Sequence, residues 1–194
     1  MQSVKVMFNV LLDRLPDNYK GYLIRTDFRI GMQIITCLKD EELSEEERYS
    51  ISLNLLYGNS VPQDLKLAFK GLKWFLNLGE EEEEEIIKSN SSQKDIMDFE
   101  IDSSRIYSGF MSVLGIDLSK EKMHWFKFRY LLLELIKCHL SNVIDIRTQD
   151  TKNMSTKQKI EINRLKKLYS INKKEELERQ KEIKQFLDSL EPKK

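Results

Sequence analysis

Seven glycines and three prolines are spread through 194 residues, too few for the tight turns that a sandwich or barrel of short strands needs. Helices need fewer breakers, so the shortage points to a mainly α chain. Cysteine is scarce as well. Cys37 and Cys138 both sit in apolar surroundings, and no C-x-x-C or H-x-x-x-H spacing supports a zinc site, although Cys138 adjoins His139. The pattern predicts buried thiols in a reducing compartment. Apolar runs such as Leu131 to Leu133 fall far short of the roughly 20 residues that span a bilayer. Met1 to Leu15 lacks the long apolar core and small-residue cleavage site of a secretory leader. The expectation is a protein of the cytosol.

Charge of one sign is also missing overall: Lys plus Arg and Asp plus Glu number 32 each. No global field therefore draws the chain onto nucleic acid or an acidic membrane. No phosphate-binding glycine motif, H-E-x-x-H or G-x-S-x-G occurs. The two histidines, His124 and His139, lie fifteen residues apart on one expected helix, hence about four turns apart and in no shared site. We expect no catalytic residue, cofactor or metal, and a protein that acts by binding other proteins.

What is present is helical periodicity with clear boundary signals. Residues 4–12 and 22–25 are rich in branched and aromatic side chains, with Leu15-Pro16-Asp17-Asn18 and Gly21 between them, which predicts a small N-terminal hairpin. Asp27 is an N-cap for a helix with Ile30, Ile34, Ile35 and Leu38 on one face. Ser44 with Glu47 forms a capping box for a second helix through Ile51, Leu55 and Leu56 that stops at Gly58. Pro62 and Asp64 open a third, through Leu65, Ala68, Phe69, Leu72, Phe75 and Leu76, which ends near Gly79 and leaves Trp74 slightly off its face. These three helices and the hairpin make a first group, residues 1–79.

Residues 80–97 read as an acidic mobile linker. Glu80 to Glu85 are six consecutive glutamates followed by a Ser/Asn run, and such a stretch cannot bury enough apolar area to offset its ordering entropy. A second helical group, residues 98–150, is expected to pack with the first. It has an amphipathic helix through Ile106, Tyr107, Phe110, Met111 and Leu114, stopped by Gly115. A longer helix follows, capped by Ser119 and running from about Lys120 to His139, with Trp125 in the group's core. Within it, residues 124–130 interleave rings and cations as single-strand binders do. Positions 123, 126, 130 and 133 share a helical face, however, which favours core packing.

Residues 151–194 form a basic helical extension with thirteen Lys/Arg against seven Asp/Glu. The acidic residues interleave with the basic ones, as on a solvated helix. Ser155 with Gln158, and Asn172 with Glu175, are two further capping boxes. Ile183, Phe186, Leu187 and Leu190 give the last helix an apolar stripe, which needs a partner and is the candidate partner-binding surface.

Taken together, residues 15–58, then GLKWFL (71–76), the acidic linker, DFEIDSSRIYSGFMSVLGIDL (98–118) and HWFKFRYLLLEL (124–135) resemble the bacteriophage gene-product-fifteen family of tailed phages. The likeness runs from Leu15 to about Tyr169 and keeps the order of the blocks. Its recurrent positions fall at Asp27, Phe28 and Arg29, at Lys73-Trp74-Phe75, and at Trp125, Phe126, Lys127, Phe128 and Arg129. These read as structural, and Phe126 stands where the family often has a second Trp. The resemblance implies a phage or prophage protein of the tail-morphogenesis module, similar to the tail assembly chaperones. Such a protein would bind the tape measure protein, recruit major tail tube subunits, act in the host cytoplasm and be missing from the mature virion. It could also form a homo-oligomer. A head-tail connector or minor tail component is the rival reading, and a DNA-binding regulator using the basic extension is a third, with nucleic acid the less favoured partner.

Overall fold

The computed structural model describes residues 10–80 and 96–172. Most of the expected first strand, most of the acidic linker, Glu175 of the expected Asn172/Glu175 cap and the stripe Ile183, Phe186, Leu187 and Leu190 lie outside the described residues. The chain is mainly α with a small hairpin, and it divides into two units. One gathers the described residues of Met1–Ser89 with Asp117–Glu134; the other gathers those of Asn90–Ile116 with Leu135–Lys194.

The first unit begins with the hairpin, whose strands β1 (Asn18–Tyr19) and β2 (Tyr22–Leu23) pair antiparallel. Its two-residue turn is Lys20-Gly21, both at positive φ, as the right-handed strand twist requires. The hairpin is thus shorter and placed differently than the sequence predicts. Residues 17 and 18, read as turn chemistry, lead into and form its first strand, while Val10, Leu11 and Leu12 are exposed turn residues.

Helix α1 (Phe28–Leu38) starts at Asp27, whose carboxylate accepts the Arg29 amide. Helix α2 (Glu45–Tyr57) has the full Ser44/Glu47 capping box and three glutamates in its first turn, which suits the positive end of the helix dipole. It ends at Gly58, in positive φ. Helix α3 (Leu65–Leu76) is capped by Asp64. The last helix of this unit is α5 (Trp125–Leu133), placed by a short antiparallel bridge: Phe28 N–H donates to the Met123 carbonyl at 2.9 Å, and Trp125 N–H to the Thr26 carbonyl at 2.7 Å. Helix α1 packs on α2 and α5, and α2 on α3. Ile34, Leu56, Phe75, Trp125, Phe126 and Phe128 are completely buried among them.

In the second unit, α4 (Ser103–Gly109) continues as a π-helical turn, Phe110–Leu114, and stops at Gly115 in the left-handed region. It packs on α6 (His139–Thr148), and α6 on α7 (Thr156–Leu168), whose Ser155/Gln158 capping box is complete. Ile106, Phe110, Leu140 and Val143 form the interior.

Three expectations are corrected. The long helix from Lys120 to His139 is two helices: Lys137 adopts φ 53°, and the Cys138 amide donates to the Ser141 hydroxyl, which starts α6 afresh. Leu133 and Ile136 are 71% and 60% exposed as a result. Second, Ser119 does not cap α5, which starts only at Trp125: the Ser119 amide and hydroxyl both donate to the Asp117 carboxylate. His124 caps instead, its Nδ1 accepting the Phe126 amide, so the two histidines stand on different helices. Third, Trp125 is a core residue of the first unit: Asp117–Glu134 belongs there, although the sequence places it in the second helical group.

Candidate functional site

The recurrent positions come together in the first unit and hold it together. Arg29 lies with its guanidinium 4.4 Å from the Phe28 ring centroid. It donates to the Asp27 carboxylate at 3.2 Å and to the carbonyls of Leu118 at 2.6 Å and Glu121 at 3.0 Å, which ties the 118–121 loop to the start of α1. Phe28 stacks on Phe128 at 4.7 Å. Trp125 stacks on Phe75 and Phe128 and lies against Gly31, occupying the space a Cβ there would need. Arg129 covers the other part of that indole, 5.3 Å from its centroid, and burial lowers its pKa from the usual arginine value. Trp74 is half-buried, edge-on to Phe126 and tilted against Tyr19. These nine recurrent residues therefore spend their side chains on contacts within the unit itself.

The surface feature of this unit is a groove between α2 and α3, which the sequence does not disclose. Leu53, Val61 and the edge-to-face pair Tyr49 and Phe69, 5.2 Å between centroids, make it apolar. Leu65 stands on its margin, 59% exposed, although its helical spacing reads as core. Glu45 and Glu46 close one end, and Ser50 and Asn54 line the α2 side. The groove encloses about 560 Å³, a size that small-ligand pockets also have, but those bring convergent polar groups to bear on the ligand. Here the Asn54 amide is turned back to the Ser50 carbonyl of its own helix. What the groove fits is a row of apolar side chains from another helix.

The second unit carries a buried ionic cluster. Asp102 is fully buried and accepts two bonds from the Arg147 guanidinium, at 2.7 and 3.0 Å, and one from Arg105 at 2.9 Å. Arg147 also donates to the carbonyls of Tyr169 at 2.6 Å and Ile96 at 3.0 Å. One carboxylate and one guanidinium thus lash four chain segments together, an arrangement that satisfies both charges and leaves neither aimed at a substrate. The partners are 45 positions apart, so no local spacing announces them.

Among the described residues no cluster of His, Cys, Asp and Glu could hold a metal ion, and no helix is long and apolar enough to cross a membrane. Cys138 is buried and Cys37 half-buried.

A family model described as Bacteriophage Gp15 protein matches residues 11–171. The chain belongs to that family. The match takes in the hairpin and the seven α-helices of the described residues, and the Gp15 positions noted above are the ones that build the aromatic interior and its Arg29 tie. No curated protein matches the chain, and no solved structure does.

Proposed function

We propose that this Gp15 protein is a phage tail assembly chaperone, which binds the tape measure protein and recruits major tail tube subunits during tail morphogenesis. It works by binding and performs no catalysis, in the host cytoplasm, and it leaves before the virion matures. The observation that carries this reading is the family match across residues 11–171, a bacteriophage family. A multi-helix scaffold fits the role: helix-in-groove contacts to a long helical client give moderate affinity, which displacement by polymerising tube subunits requires. The apolar stripe Ile183, Phe186, Leu187 and Leu190 is the surface we assign to the client.

Co-expression with the tape measure protein tests the reading. The chaperone should co-purify with it and raise its soluble fraction, and mass spectrometry of purified virions should find none of the chaperone. Phe186→Asp combined with Leu190→Asp should abolish client solubilisation while leaving the melting temperature unchanged. A fall in melting temperature would place the stripe in the protein's own core instead, where two unpaired charges are costly. Failure to bind the tape measure protein, with the protein present in virions, would replace the chaperone by a head-tail connector.

A further inference from the structure

We propose that the α2/α3 groove of one copy takes the C-terminal stripe of a second copy, Ile183, Phe186, Leu187 and Leu190, so that the protein associates with itself. The association rests on this chain's own surfaces, so it stands or falls separately from the client reading, which uses the same stripe.

Groove and stripe match in charge, spacing and length. Of the residues lining the groove only Glu45 and Glu46 are ionised, and they close the same end. Both are exposed, whereas Glu47 beside them is held in the Ser44 cap. The stripe carries its own charge at one end. At about 100° per residue, Arg179, Ile183, Phe186, Leu187 and Leu190 fall within one arc of about 100°, with Arg179 roughly one turn before Ile183. Glu182, Asp188 and Glu191 lie outside that arc, and Glu176, which lies on it, is a further turn back and beyond the closed end of the groove. One guanidinium thus meets the two carboxylates. From there the lengths agree: Arg179 to Leu187 spans about 12 Å of helix, as does the α2 wall from Glu45 to Leu53. Ile183 then faces the ring pair Tyr49 and Phe69, while Phe186, Leu187 and Leu190 run toward Leu53, Val61 and the exposed Leu65. The stripe begins eleven residues past Asn172, the last described residue, which is chain enough to reach a neighbouring molecule.

Each copy has one groove and one stripe, so two copies exchange stripes in a closed pair or successive copies form an open chain. A stripe seated in a groove is closed to the client, so self-association and client binding exclude one another; that consequence alone rests on the chaperone reading. Sedimentation velocity on the 194-residue protein, without the client and over a range of concentrations, tests the association itself. The weight-average mass should rise above the 23.1 kDa of one chain. Leu65→Lys, which spoils the groove, and Phe186→Asp with Leu190→Asp, which spoil the stripe, should each hold the protein at one-chain mass. An equimolar mixture of the two leaves one intact groove facing one intact stripe, so it should recover association and stop at two chains. Melting temperatures, compared at a dilution where the wild type is a single chain, should match. An early-melting stripe variant would place the stripe in the chain's own core and overturn the proposal. If Leu65→Lys melts early, charge reversal replaces it: Glu45→Lys with Glu46→Lys should abolish association, Arg179→Glu should do the same, and all three substitutions in one chain should restore it. Wild-type protein that stays at one-chain mass throughout would overturn the proposal, with the groove then filled within the chain or by another protein. Variants of one surface that still associate, or a mixture that does not, would overturn it equally.

Discussion

The two units solve the same problem with opposite chemistry. The first fills its interior with rings: Phe28, Phe75, Trp125, Phe126 and Phe128 are all buried and in mutual contact. The second packs mostly aliphatic side chains around Phe110 and closes that interior with the Asp102–Arg147–Arg105 cluster. Aromatic packing is stabilising and forgiving of small shifts, because its energy scales with buried area. A buried ion pair contributes little net stability, yet it is severely damaged when one partner is removed, because the other charge is left desolvated.

The largest expected effects follow from that contrast. Asp102→Ala leaves two arginines facing each other in the interior and should destabilise the second unit by about 3–5 kcal/mol. Trp125→Ala opens a cavity in the first and should cost about 3–5 kcal/mol there. The size is alike and the location is not. Hydrogen exchange read on peptides should show lost protection in α4 and α6 for the first variant, and in α1, α3 and α5 for the second. Rescue should differ too. Replacing Asp102, Arg105 and Arg147 together by leucine and methionines, so that no charge is left unpaired, should recover most of the stability, while no substitution elsewhere refills the indole's volume. Equal loss of protection in both units from either variant would dissolve the comparison.

A smaller effect sharpens it. Gly31→Ala asks a Cβ to enter space held by the fully buried Trp125 ring. Overpacking of that kind costs about 1–3 kcal/mol, against a helix-propensity gain of at most about 1 kcal/mol, so the variant should melt earlier. Gly109→Ala in the second unit meets the far end of Leu135 at 3.0 Å, where a flexible methyl can move aside, and the Cys138 sulfur at an ordinary contact distance of 3.6 Å. Its melting temperature should change much less, and a larger drop than that of Gly31→Ala would show the second interior to be the stiffer one.

The parts of this fold legible in the sequence are those decided within four residues. Asp27, Ser44 with Glu47, Asp64, and Ser155 with Gln158 announce their helices because a side chain there bonds a backbone amide two or three positions on. The missed boundaries used residue types outside that code: an imidazole at His124, and at Cys138 a hydroxyl reaching back from Ser141. The assignment of Asp117–Glu134 to the first unit depends on backbone bonds between Thr26 and Trp125 and between Phe28 and Met123, and Asp102 meets Arg147 across 45 positions. Periodicity carries no information about such pairings. The motif residues around Trp125 were legible as structural. The groove was not, since Leu65 and Phe69 share the apolar spacing of α3, and only the crossing of α2 over α3 leaves them at the surface.

The smallest expected effect concerns the imidazole that caps α5. His124 Nδ1 accepts the Phe126 amide at 3.0 Å, and its other nitrogen lies 2.9 Å from the Pro16 carbonyl. Both bonds are made at once only by the neutral ring with its proton on Nε2. Burial lowers the His124 pKa from the usual 6.5, while the Pro16 carbonyl and the Asp17 carboxylate oppose part of that shift. The folded state therefore binds fewer protons than the unfolded chain between the lowered pKa and 6.5, so stability rises with pH in that window. The cap's contribution is complete above 6.5 and is lost as the pH falls toward the folded-state value. His124→Asn keeps an acceptor for the Phe126 amide without a group that titrates in this range. Melting temperatures at pH 7.5 and 5.5 should then fall further for the wild type than for the variant. His139 is present in both proteins, so the difference between them isolates His124. A wild type and variant with equal pH dependence would mean that the protonated ring keeps its place at the start of α5, and that the loop-to-helix junction is held by the Thr26–Trp125 bridge instead.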